Sequence, residues 1–159
     1  MRSRKPLAYI LLLTLFFLLN CKDNSIVYDR VVSLPGEGWE YTDKIGFEYV
    51  ISDTLSAYDI QLHIRNTKSF AYSNLWLFVE TVAPAGSMQI DTLEVILADE
   101  NGRWLGRSEQ SINTMLINYK ENIHFPERGI YKTILQHAMR DTLLRNITDI
   151  GLRVKYHTN

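Results

Sequence analysis

The sequence of 159 residues predicts an all-β fold, a single β-sandwich domain of Greek-key or jelly-roll type, and three observations lead there. From Tyr58 to Arg65 the chain alternates Tyr58, Ile60, Leu62 and Ile64 with Asp59, Gln61, His63 and Arg65, the period of a half-buried strand. Shorter stretches of the same kind recur, parted by turn clusters such as Pro35-Gly36-Glu37-Gly38 and Pro84-Ala85-Gly86-Ser87. Aromatic residues are frequent, with nine Tyr, six Phe and three Trp, and they pack well on pleated surfaces.

The chain opens differently. Arg2, Arg4 and Lys5 precede an uncharged run, and Leu7 to Leu19 is thirteen apolar or neutral residues long. That length suits the apolar region of a signal peptide and falls short of the ~20 residues of a membrane-spanning helix. The run ends in Leu18-Leu19-Asn20-Cys21, which resembles a bacterial lipobox, cut between Asn20 and Cys21 once the cysteine carries diacylglycerol. Asn20 stands where a small residue is usual. Cys21 is the only cysteine, and lipidation accounts for a lone thiol in an exported chain. Residues 1–20 are therefore expected to be a lipoprotein signal peptide, 21–25 a lipidated tether and 26–159 the sandwich. Two or three acyl chains, palmitate among them, anchor stably where one does not. Lys22 rather than aspartate after the cysteine favours the cell outer membrane, periplasmic or surface face open.

The strands follow in order. Ile26 to Leu34 carries Val27, Tyr28, Val31 and Val32 and stops at Pro35. After Trp39 and Tyr41, the stretch Ile45 to Ile51 puts Phe47, Tyr49 and Ile51 on one face, until Asp53-Thr54 breaks it. Beyond Tyr58 to Arg65, the run Leu75-Trp76-Leu77-Phe78-Val79 is apolar throughout and predicts a central strand buried on both faces. Ile90 to Ala98 turns at Asp99-Glu100-Asn101-Gly102, where Asn-Gly predicts a type I′ hairpin returning through Trp104 and Leu105. Ser111 to Ile123 fits helix or strand equally. Ile130 to Met139 reads as strand, and Ile150, Leu152, Val154 and Tyr156 alternate to the end.

Chemistry is sparse. Net charge is −1 with no basic tract beyond the start, so nucleic acid is not an expected partner. His63, His124, His137 and His157 are dispersed and lack the spacing of a zinc site, and His63, on the polar side of its strand, reads as a solvated surface residue; no metal or cofactor is expected. No nucleophile elbow, phosphate loop or dinucleotide fingerprint occurs, and no enzyme is expected. Trp76 reads as core, which leaves Trp39 and Trp104, beside turns, as candidates for a recognition surface that could stack sugars. Asp-Thr-Leu occurs three times and resembles a short bacterial O-glycosylation motif, with Thr54, Thr92 and Thr142 as acceptors.

Longer stretches point to a family. They include Arg65-Asn66-Thr67, Tyr72-Ser73-Asn74-Leu75-Trp76-Leu77-Phe78-Val79-Glu80, Asp91-Thr92-Leu93-Glu94, Gly102-Arg103-Trp104-Leu105-Gly106, Tyr119-Lys120-Glu121-Asn122, Gln136-His137-Ala138-Met139-Arg140 and Ile147-Thr148-Asp149-Ile150-Gly151-Leu152-Arg153. In this order, with the lipobox ahead of them, they resemble the GldH family of gliding motility lipoproteins over nearly the whole chain. Arg107-Ser108-Glu109-Gln110 departs from that pattern, as does the short link from Arg140 to Ile147. The resemblance implies a non-enzymatic envelope lipoprotein, an accessory or assembly component of gliding motility and the secretion machinery tied to it. Its partners would be the membrane, through lipid on Cys21, and other envelope or motility proteins. A surface lipoprotein whose sandwich binds glycans is the alternative.

Overall fold

The computed structural model describes residues 25–158, so Asn20 and Cys21 lie outside the described residues. Eleven strands and no helix make up the described chain. They are β1 (Ile26–Ser33), β2 (Trp39–Glu40), β3 (Ile45–Ile51), β4 (Tyr58–Thr67), β5 (Asn74–Val82), β6 (Met88–Ile96), β7 (Arg107–Glu109), β8 (Ile112–Ile123), β9 (Gly129–His137), β10 (Leu143–Leu144) and β11 (Ile147–Tyr156).

Two antiparallel sheets face each other, ordered β1-β11-β4-β8-β7 and β3-β9-β5-β6, with a two-stranded ribbon β10-β2 at one end. Counting the eight long strands in chain order, the first sheet holds the first, eighth, third and sixth, and the second holds the second, seventh, fourth and fifth. That interleaving is the jelly roll, in which consecutive strands mostly cross between sheets. Each inner face supplies one side of a single core, with Phe47, Tyr49, Leu75, Leu77, Val79 and Leu135 meeting Tyr58, Ile60, Leu62, Ile64, Leu152 and Val154.

Alternation decides the sheets, and it corrects the expectation for β5. Leu75, Leu77 and Val79 have no exposure, whereas Trp76 is 37% and Phe78 43% exposed. The strand is central in its sheet, between β9 and β6, yet only one of its faces is buried. Ser111 to Ile123 resolves as strand: β8 spans twelve residues and pairs with β4 along its length. Register shifts near Ile60 take up its irregular pattern.

The turn at Asp99 also differs. The Gly102 N–H donates to the Asp99 carbonyl at 2.9 Å, and Gly102 takes φ of +75°. Asn101 is not among the residues of positive φ, so this is not type I′, which needs two such residues. Asp99 Oδ1 instead accepts the N–H groups of Asn101 and Arg103, each at 2.9 Å, which holds the turn from its own side chain. The return is one bridge, Ala98 to Trp104, rather than a strand.

Edge protection is built in. On β6, an edge strand, Asp91 points inward and meets Lys120 Nζ at 2.8 Å and the Tyr119 hydroxyl, both on β8. An inward charge on an edge strand discourages pairing with another chain. Burial would raise the Asp91 carboxyl, but hydrogen bonds from Lys120, Tyr119 and Gln89 outweigh it and hold the carboxyl below its ordinary value.

Candidate interaction surfaces

The outward positions of the two sheets were set by the same period and carry different chemistry. On the five-stranded sheet, Asp29 of β1 accepts from Arg153 of β11 at 2.6 Å and lies 2.8 Å from His63 Nε2 of β4. Gln61 Nε2 donates to Asn118 Oδ1 at 2.7 Å, and Ser33 Oγ to Asp149 Oδ1 at 2.7 Å. Asp59 takes Lys155 at 3.5 Å and His157 Nδ1 at 2.7 Å. Its carboxyl is raised by burial yet held low on balance by the Asn122 amide, His157 and Lys155. Polar groups on this face satisfy one another.

The four-stranded sheet turns Trp76, Phe78, Ile90 and Ile96 toward solvent. Phe78 sits opposite Thr92 on one side and Gln136 on the other, and Glu80 sits between Ile90 and Ile134. Phe78, Glu80, Ile90, Ile134 and Gln136, with Lys44, line a shallow depression of about 140 Å³. One loose ion pair lies in it, Lys44–Glu80 at 3.7 Å, and exposed pairs of that kind contribute ~0–1 kcal/mol. Exposed apolar side chains interleaved with polar ones, Trp76 opposite Glu94 and Ile96 opposite Asn74, make this face a candidate contact surface.

Trp76 also borders an open cleft of about 610 Å³ with Tyr72, Met139, Arg140 and Asp141. The Tyr72 hydroxyl donates to Asp141 Oδ2 at 2.7 Å, and that bond raises the tyrosine above its ordinary value. Arg140 is exposed at the rim. An aromatic face beside a cation and a carboxylate can hold a polar ring.

The tryptophans expected at a recognition surface are placed otherwise. Trp39 has no exposure: β2 and β10 lie together across one end of the core, and its indole meets His137 edge-on with ring centres 5.3 Å apart. It is core, and that corrects the expectation. Trp104 is half-buried, 6.4 Å from the Phe70 ring, and packs against the core cluster. The exposed ring is Trp76, which was read as core because its neighbours are apolar. Asn74 and Glu80, on the same side of β5 as Trp76 and Phe78, were the signal that this side faces water.

The histidines divide as well. His137 is buried, with Nε2 3.0 Å from the Trp39 carbonyl oxygen and Nδ1 without a partner, so it is not a surface residue. Burial lowers its basicity against the opposing Trp39 carbonyl. His63 and His157 are each paired with an aspartate, and His124 is exposed. Of the Asp-Thr-Leu threonines, Thr92 on β6 and Thr142 after β9 are exposed, whereas Thr54 is half-buried beside the turn that Asp53 holds through Leu55 and Ser56. Among the described residues, no group of three His, Cys, Asp or Glu side chains is placed to hold a metal ion.

A family model described as GldH lipoprotein matches residues 26–154. A gliding motility lipoprotein GldH homolog of Christiangramia forsetii is 34% identical over 158 residues, covering 95% of this chain and 96% of its own. The gliding motility lipoprotein GldH of Flavobacterium johnsoniae is 29% identical over 153 residues, covering 92% and 94%. Among solved structures, an arabinose-bound α-L-arabinofuranosidase of family GH51 aligns at TM-score 0.40 and 9% identity, over 84% of this chain and 23% of that enzyme. A family GH115 4-O-methyl-α-glucuronidase aligns at TM-score 0.42 and 11% identity, over 87% and 18%. The chain thus spans about a quarter or less of those enzymes, and at such scores they carry no reading of activity.

Proposed function

Because the chain belongs to the GldH lipoprotein family, we propose that it is a non-enzymatic accessory of the gliding motility machinery and of the protein secretion tied to it. It is a lipid-anchored protein of the cell envelope. The proposed route is cleavage between Asn20 and Cys21, lipid on Cys21 and residence at the outer membrane. The domain would work by binding other envelope proteins through the outer face of its four-stranded sheet. The observation that carries this is the solvent exposure of Trp76, Phe78, Ile90 and Ile96 on one sheet, while on the other sheet's outer face polar pairs surround two exposed apolar side chains, Val31 and Leu116. A photoactivatable benzophenone side chain tests it. Placed at Phe78 it should capture envelope proteins of the motility machinery, and placed at Asn118 it should not. Equal capture from both positions would contradict the assignment.

The cleft beside Trp76 favours a second reading, in which the sandwich binds glycans. Binding on a glycan array that disappears in Trp76→Ala would establish it, whereas the first reading expects a silent array. We also propose Thr92 and Thr142 as the more accessible O-glycosylation sites, with Thr54 the least accessible. Peptide mass spectrometry of the protein from its own cells reads all three.

A further inference from the structure

The chain enters the sandwich at one identifiable end. Ser25 O accepts the Tyr156 N–H at 2.8 Å, and the next residue's N–H, from His157, donates to Ala57 at 2.8 Å. Tyr58 pairs with Tyr156 on one side and Ile123 on the other, so the loop 52–57 and the end of β8 stand beside the chain's entry. The remaining strand ends there follow from register: Ile51 lies opposite Gly129, and Val82 opposite Met88.

Among the described residues, four of the five most exposed large apolar side chains gather at this end. They are Leu55 at 85%, Ile130 at 61%, Met88 at 60% and Val50 at 59%. Val50 and Ile130 are direct partners on β3 and β9, and Met88 opens β6, so the rim crosses the outer sheet face from edge to edge. Leu55 is the tip of a loop. Acidic groups nearby are engaged: Asp53 accepts the Leu55 N–H at 2.8 Å, Glu127 accepts the Ala85 N–H at 3.0 Å, and Asp59 is paired with His157.

We infer that this end rests on the bilayer, with Leu55, Val50, Ile130 and Met88 entering the lipid headgroup region. The inference rests on lipidation of Cys21. From Cys21 to Ser25 is four residues, a reach of at most about 14 Å at 3.3–3.6 Å each. A tether that short keeps the entry end within about 14 Å of the anchored residue, close enough for apolar side chains there to partition into the boundary between headgroups and acyl chains. The domain then stands with its far end, including the Trp76 cleft, away from the lipid.

Since Cys21 is the only cysteine, one added cysteine gives the lipidated protein a single free thiol. A nitroxide would be attached at Leu55→Cys, or at Glu100→Cys in the far-end turn, and each lipidated full-length protein reconstituted into phosphatidylcholine–phosphatidylglycerol vesicles. Flotation reports the anchor. In floated protein the Leu55 label should lose relaxation by a water-soluble nickel chelate and keep relaxation by oxygen, while the Glu100 label keeps both. Two labels that behave alike would overturn the docking with the anchor intact. A Leu55 label shielded from both agents would overturn it too, in favour of a protein contact. Protein that does not float would remove the anchor and the docking together.

Discussion

Asp29, His63 and Arg153 on one sheet, and Trp76, Phe78 and Ile90 on the other, occupy equivalent outward positions in strands of the same period. The first group is locked: Arg153 reaches Asp29 at 2.6 Å and His63 lies 2.8 Å from the same carboxylate. The second group is apolar and lies among polar neighbours bonded to others, Asn74 donating to Glu94 at 2.6 Å and Lys44 meeting Glu80 at 3.7 Å. A face whose donors and acceptors already satisfy one another has little to offer a partner, whereas exposed apolar area gains by being covered. The difference separates stability from binding: substitutions on the locked face should read out in folding, and those on the apolar face in association.

The largest effect should come from neighbours on β5 that point opposite ways. Leu77→Asp puts a carboxylate among fully buried side chains and should cost several kcal/mol, against a total stability of roughly 5–15 kcal/mol. Phe78→Asp, one residue on, should stay folded with a normal urea midpoint. Equal unfolding of the two variants would break the comparison at its root.

Glycines sharpen it next. A Cβ on Gly151, in the locked face, would meet the Arg30 carbonyl oxygen at 2.6 Å, Val31 at 2.9 Å and His63 at 3.1 Å. Gly151→Ala should therefore cost about 1–3 kcal/mol as overpacking. On the apolar face, the Cβ of Gly46→Ala would find Lys132 Cε at 3.4 Å, an ordinary contact with a flexible chain. That change should lie within about 0.5 kcal/mol. Thermal melts of the two variants compare them directly.

Acid should weaken the locked side first. Burial holds His63 below its ordinary value, outweighing the pull of Asp29. As pH falls from 6.5 toward that lower folded value, the unfolded chain takes up a proton the folded chain refuses, so stability falls; buried His137 acts in the same direction. Asp59 and Asp91, held low, contribute stability that is present above the ordinary carboxyl value of 3.8 and is lost as pH falls through their folded values. Melting temperature should decline in two stages, the first removed in His63→Gln combined with His137→Gln. Phe78→Ser should read out mainly in association, costing folding about 1 kcal/mol or less while capture of partners is reduced.

Much of this architecture was legible in the chain. Tyr58 to Arg65 announced β4 because one side of it is water and the other is core. Leu75 to Val79 hid the same arrangement, since its solvent side carries Trp76 and Phe78, and apolar residues at a contact surface look like core to a period count. Trp39 failed for the opposite reason. It follows a turn in sequence, but the ribbon of β2 and β10 folds over it, a long-range pairing of Trp39 with Leu144 that local pattern does not contain. Ser111 to Ile123 was ambiguous because Leu116, between Met115 and Ile117, is an exposed apolar residue on the outward face, opposite His63. The exposed rim at Leu55, Val50, Ile130 and Met88 is assembled from four separate segments, and only register brings it together.

Thiol labelling in intact cells tests the central claim most directly. With Cys21 lipidated, single cysteines at Phe78 and at Asn118 are the only free thiols in their respective variants. A membrane-permeant maleimide should modify both in the purified protein. In cells the account predicts that the cysteine at 78 is protected while the one at 118 still reacts; equal reactivity at both positions in cells would contradict it.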